Sequence, residues 1–139
     1  MVNKLFLDVN IILDYTLERK GELAEIENLF ELAETEKLEL YVSESVIATT
    51  LYFLQKNKLD ALAIIRELAT CLNFIPFKKD VLFFSIEQYK DIEDGLLYFM
   101  AAKANMNYFI TRNVKDFAFT LPSLPVLTPA KFLSEIYFK

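Results

Sequence analysis

The chain has 139 residues, of which 54% are hydrophobic, with two glycines and four prolines; this supplies a core for one domain spanning 1–139 and excludes a collagen-like or linker-dominated chain. It has no histidine and one cysteine, which excludes imidazole acid–base chemistry, Ser-His-Asp and Cys-His systems, the usual zinc sites and an internal disulfide framework. The formal net charge is −5, no apolar run reaches the roughly 20 residues of a membrane span, and the amino terminus meets Asp8 too soon for a signal peptide, so a soluble, cytoplasmic protein is expected.

Lys4-Leu5-Phe6-Leu7-Asp8 is an apolar run ending in an acid and reads as a buried parallel strand. Val9 to Tyr15 reads as a helix capped by Asn10 and stopped at Arg19-Lys20-Gly21. Glu22 to Glu36 is amphipathic, with Leu23, Ile26, Leu29, Phe30 and Ala33 on one face and its glutamates elsewhere. Leu38 to Val42 is a second strand, after which Ser43-Glu44-Ser45 opens a helix to about Lys56, with Ser43 as cap. Leu59 to Leu72 predicts a helix carrying Cys71 as a buried filler, and Asn73 to Phe77 a short edge strand. A helix from Lys79 to about Gln88 precedes the most informative stretch, Asp91-Ile92-Glu93-Asp94-Gly95, which runs into a helix apolar almost all round and ending near Asn105. Asn107 to Thr111 is β-rich and is closed by the polar turn Arg112 to Phe117. Leu124 to Leu127 is a last short strand, and Thr128-Pro129 caps and opens a helix to about Tyr137.

Strands alternating with helices predict a three-layer α/β/α sandwich with a mainly parallel central sheet, whose functional crevice lies outside the carboxyl ends of the strands. Asp8, Glu44 and Asp116 each follow a strand within a few residues, and Asp94 opens the helix leading to the strand that ends in Thr111. Each acid alone has a structural reading as a cap or a polar loop residue. Together they make a carboxylate set at one rim, and oxygen ligands without histidine or thiolate select Mg²⁺ or Mn²⁺. Such an ion suits hydrolysis of a phosphodiester backbone. Setting four of the 20 acids in one metal-filled pocket leaves 16 against 15 bases, a net of −1 that neither favours nor excludes a phosphate-bearing partner. Arg112 and Lys115 flank the last turn as possible phosphate contacts. Asp91 reads as the cap of the Asp94 helix, and Asp14 as a solvated acid.

Asp8 with Asn10 after the first strand, Glu44 after the second, Ile92-Glu93-Asp94-Gly95 leading into Met100-Ala101-Ala102, and Thr111-Arg112-Asn113-Val114-Lys115-Asp116-Phe117 resemble, in order and spacing, the PIN-domain nucleases, and in particular the single-domain bacterial VapC-type toxins. The resemblance spans essentially the whole chain. It implies a PIN-like fold, a metal-binding catalytic quartet of Asp8, Glu44, Asp94 and Asp116, and polar support from Asn10, Thr111 and Asn113. It further implies an Mg²⁺- or Mn²⁺-dependent ribonuclease, commonly a homodimer, which acts on RNA and in toxin members is silenced by a small antitoxin protein. Asn113 stands where some members carry an acid, and Gly95 stands where Ala is common, lowering helix propensity by roughly 1 kcal/mol.

Two other readings stay open. One is a catalytically weak or inactive PIN-like module that binds RNA or a protein partner through aromatics such as Tyr52, Phe53, Phe132, Tyr137 and Phe138, residue types more often found in a core. The other is a phosphoacceptor domain, which the sequence disfavours because Leu127-Thr128-Pro129 stands where a lysine is expected.

Overall fold

Leu5, Phe6 and Leu7, consecutive in β1 (Asn3–Leu7), are wholly buried, as a strand covered on both faces must be. In the computed structural model, which describes residues 2–117 and 119–139, β1 is the centre of a five-stranded sheet of order β3-β2-β1-β4-β5, every pair parallel. The other strands are β2 (Leu38–Val42), β3 (Leu72–Phe74), β4 (Tyr108–Ile110) and β5 (Val126–Leu127). Their order reverses direction between β1 and β4. Right-handed crossovers place α1 (Val9–Thr16), α2 (Leu23–Glu34), α3 (Glu44–Lys56) and α4 (Ala61–Ala69) on one face, and α5 (Lys79–Gln88) and α6 (Ile92–Lys103) on the other. Accordingly α1 packs on α2 and α3, and α5 packs on α6. The chain closes with α7 (Pro129–Lys131), which continues into a π-helical turn, Phe132–Tyr137.

α6 is buried at Gly95 and from Leu97 to Ala101, so its nearly continuous apolar pattern marks a helix enclosed by the core. Tyr98 on this helix is fully buried. Its hydroxyl accepts from the Leu121 backbone N–H at 2.6 Å and donates to the Leu124 carbonyl at 2.7 Å, which satisfies the phenol and pins the loop before β5. Tyr89 at the end of α5 donates to the Phe119 carbonyl and lays its ring on α6. A Cβ at Gly95 would stand 2.8 Å from Tyr89 Cβ and 2.9 Å from Cγ. Gly95 is thus a close-approach position, which offsets its low helix propensity.

Several boundaries differ from the sequence expectation for identifiable reasons. Asp8 rather than Asn10 caps α1, its Oδ1 accepting from the Val9 N–H at 2.8 Å. α1 ends at Thr16, well before Gly21, because Glu18 adopts a positive φ of 49°. The predicted helix over Leu59–Leu72 is cut to Ala61–Ala69, Leu72 joining β3, and Cys71 lies half-exposed in the turn between them. Tyr52 and Phe138 are exposed, whereas Phe132 is in the core.

Four helices end on a non-glycine residue in the left-handed region: Glu18, Glu36, Lys58 and Asn105. At α2 the Lys37 N–H reaches the Leu32 carbonyl at 2.8 Å and the Glu36 N–H reaches Ala33 at 3.1 Å, a Schellman closure that glycine makes without steric cost. Glu36→Gly should therefore raise stability by about 0.5–1 kcal/mol in chemical denaturation; an unchanged or lower midpoint would mean that the Glu36 side chain contributes something the backbone does not.

Candidate acidic active site

The reversal of strand order between β1 and β4 opens a crevice at their carboxyl ends. Asp8 stands there, 3% exposed, its N–H bonded to the Ile110 carbonyl at 3.0 Å. Both carboxylate oxygens are engaged. Oδ1 accepts from the Val9 N–H, and Oδ2 accepts from the Thr111 hydroxyl at 2.8 Å. The Thr111 oxygen in turn accepts from the Asn113 N–H at 3.2 Å. This chain of donors fixes the Asp8 rotamer from the start of α1, from the residue after β4 and from the turn beyond.

Asp94 is held from the other layer. Asp91 caps α6, its Oδ1 accepting from the Asp94 N–H at 3.2 Å, so the first turn of the helix presents Glu93 and Asp94 at the rim. The Asp94 carboxyl is pushed up to about 7, first by burial and then by the negative charges of Asp91, Asp8, Asp116 and Glu93. Burial also raises Asp8, with Glu93 adding to the effect, while Thr111, Val9 and Arg112 oppose it. The negative charges that act on these two carboxyls come from Asp8 and Asp116, joined by Asp91 and by Glu93, an acid outside the expected quartet. Asp116 closes a 3₁₀ turn, Val114–Asp116, and is exposed. Glu44 is exposed in the first turn of α3 and is not among the principal charges on Asp8 or Asp94. Asn10 lies half-buried in α1, and Asn113 half-buried before the 3₁₀ turn.

Two basic or acidic residues hold positions the sequence did not disclose. Asp14, read as solvated, is only 4% exposed. It accepts from Arg112 Nη1 at 2.8 Å and lies 3.6 Å from Arg19 Nη1. Arg112 is thereby tied to α1, leaving Lys115 as the freer of the two phosphate candidates. Lys131 joins Lys115 along a cavity of about 480 Å³ beside Asp116; its position far along the chain gave no signal in the local pattern.

Among the described residues, no three acidic or cysteine side chains form a ready-made metal cage. The donor chemistry nonetheless fits a hard divalent cation. All the donors are oxygens, Asp8 is locked by its neighbours, and the repulsion that raises Asp94 is of the kind a cation relieves.

A family model described as a PIN domain matches residues 4–115. Ribonuclease VapC1 of Aquifex aeolicus (strain VF5) is 32% identical over 136 residues, covering 93% of this chain and 92% of that protein. In structure, VapBC2 from Rickettsia felis bound to a DNA fragment from its promoter matches with a TM-score of 0.67 at 21% identity, over 88% of this chain and 96% of that one. A toxin–antitoxin complex from Klebsiella pneumoniae matches with a TM-score of 0.66 at 23% identity, over 90% of this chain and 97% of that one.

Because the Asp94 carboxyl binds its proton more tightly in the folded chain than the ordinary 3.8, the native state carries more protons than the unfolded one between about pH 4 and pH 7, and stability falls as pH rises through that window. With metal removed by chelator, the wild-type melting temperature should drop from pH 5 to pH 8, and Asp94→Asn should flatten that slope; parallel slopes in the two proteins would show that Asp94 is not held in this repulsive field. Gly95→Ala should cost about 1 kcal/mol by thermal melting, since the helix-propensity gain of roughly 1 kcal/mol is outweighed by displacing Tyr89.

Proposed function

The chain belongs to the PIN-domain family, and from that premise we propose that it is an Mg²⁺- or Mn²⁺-dependent endoribonuclease, the toxin of a toxin–antitoxin pair. The observation that supports the reading is the raised carboxyl of Asp94 at the start of α6, pushed up to about 7 by burial and by the charges of Asp91, Asp8, Asp116 and Glu93. The likeness to a ribonuclease along nearly the full length of both chains supports RNA as substrate, and the fold shared with toxin–antitoxin complexes supports a small antitoxin as partner. We read residues 1–139 as one unit acting in the cytoplasm as a homodimer.

In this reading Asp8, Asp94 and Asp116 hold the cation, and Glu44 completes the quartet from the start of α3. When bound, Mg²⁺ or Mn²⁺ supplies charge neutralisation at the scissile phosphate and a lowered pKa for a coordinated water. The protein's own residues do the rest. Thr111 directs its proton at Asp8 Oδ2, which orients the Asp8 carboxyl at the crevice. Asp94, with a pKa of about 7 in the metal-free chain, gives up its proton at neutral pH when the repulsion around it is relieved. Lys115 and Lys131 draw the phosphate backbone toward Asp116 from the adjoining cavity.

The test is cleavage of a labelled RNA pool and thermal stability, each with and without Mn²⁺. Wild type should cut RNA only with metal and should melt several degrees higher in its presence. Asp94→Asn should remain folded, lose cleavage by about a hundredfold or more and lose most of the Mn²⁺-induced stabilisation. Full activity in Asp94→Asn would end the proposal; absence of both cleavage and a metal shift in wild type would favour a binding module that does not cut.

A further inference from the structure

A second cavity, about 610 Å³, is bordered by Glu44 and lies between α3, α6 and the segment that leaves β3. Its walls come from two of the acid-bearing elements. Glu44 borders it at the start of α3, and Leu97 and Met100 line it from α6, the helix that begins with Asp94. The remaining wall is the segment leaving edge strand β3. Phe74 pairs in register with Val42, two residues before Glu44, and the Ile75 N–H bonds the Val42 carbonyl at 3.0 Å. Phe74 and Phe77 are 52% and 63% exposed, and Lys78 and Lys79 follow them at the surface.

Two exposed rings on one segment leave apolar surface in water without a packing role. Their position distinguishes them from stray surface aromatics. They flank an apolar slot bordered by Glu44 and by Leu96 and Leu97, just after Asp94 in the chain, and the exposed Lys78 and Lys79 follow them. Unpaired nucleobases have the chemistry to fit all three features: their faces stack on aromatic rings, their edges enter an apolar slot, and their phosphates meet lysine. Paired bases are buried within a duplex and offer no face. We propose that Phe74 and Phe77 form a stacking platform for unpaired bases of an RNA strand bound along the cavity that Glu44 borders. This rests on the ribonuclease reading for the identity of the strand, while the platform itself is read from binding.

The test uses fluorescence anisotropy of the full-length chain in EDTA with a labelled ten-nucleotide single-stranded RNA, with the same strand made abasic at its central positions, and with the RNA duplex; strand integrity is read on a gel. Phe74→Ala/Phe77→Ala should bind the base-bearing strand about tenfold more weakly than wild type, in line with loss of base–aromatic stacking. The abasic strand should bind wild type about tenfold more weakly too, with no further loss in the double variant. Phe77→Trp should retain wild-type affinity. Melting curves report the fold, and Phe77→Leu, which keeps apolar bulk but no ring, repeats the comparison should the double variant be unstable. Equal affinity of wild type and double variant for the base-bearing strand overturns the proposal. So does equal affinity of wild type for abasic and base-bearing strands, or for single strand and duplex. If RNA binding is unchanged while the double variant loses self-association in sedimentation, the face belongs to a second copy of the chain and the proposal is likewise overturned. Cleavage with Mn²⁺ is scored separately, so failure of the nuclease reading leaves a ring-dependent and base-dependent affinity that still supports the platform.

Discussion

The hydrogen bond from Thr111 to Asp8 ties the sheet to its chemistry. Asp8 ends the central strand, caps the first helix with one oxygen and receives Thr111 with the other. A buried carboxylate survives only with compensating donors, and here those donors come from both sides of the strand-order reversal. The fold and the acidic crevice are therefore not separable. Whatever holds β4 beside β1 also holds the threonine that satisfies the aspartate. The aromatic packing of Phe6 on Phe109, and of Phe109 on Phe117, supplies that cohesion just beneath the site.

The second layer contributes the opposite kind of interaction. α6 is driven into the core by its apolar surface, and its first turn brings Asp94 into a field of like charge. Hydrophobic burial at Leu97 to Ala101 thus sustains an electrostatic strain at Asp94 that the local charges alone would disperse. Gly95 belongs to the same economy of space: its missing side chain admits Tyr89, whose hydroxyl secures the loop at Phe119 and whose ring fixes how deeply the helix start is seated.

Much of this was legible in the sequence. The strands showed because buried parallel strands are short apolar runs, and β2 was delimited to the residue. The acids at strand ends showed because strand–helix alternation puts those ends at one rim. What stayed hidden depends on contacts distant in sequence or on backbone conformation. Asp14 looks like any polar residue on a helix until Arg112, 98 residues away, is brought against it. Lys131 has no local motif. The stop of α1 falls at Thr16 rather than at Gly21 because the left-handed closing position, usually glycine, is filled there by Glu18. Gly95 was read as a weakness in its helix because the neighbour it accommodates lies in the preceding helix.

The order of strands has a consequence for synthesis. β1 is made first, yet its second neighbour, β4, begins at Tyr108, and Asp8 meets Thr111 across a separation of 103 residues. As the chain emerges from the ribosome, β1, β2 and β3 can assemble while one side of the central strand remains open. The crevice has no second wall until β4 and Thr111 have been made. A nascent chain therefore lacks the Thr111 side of the acidic crevice for the hundred or so residues of synthesis that separate it from Asp8.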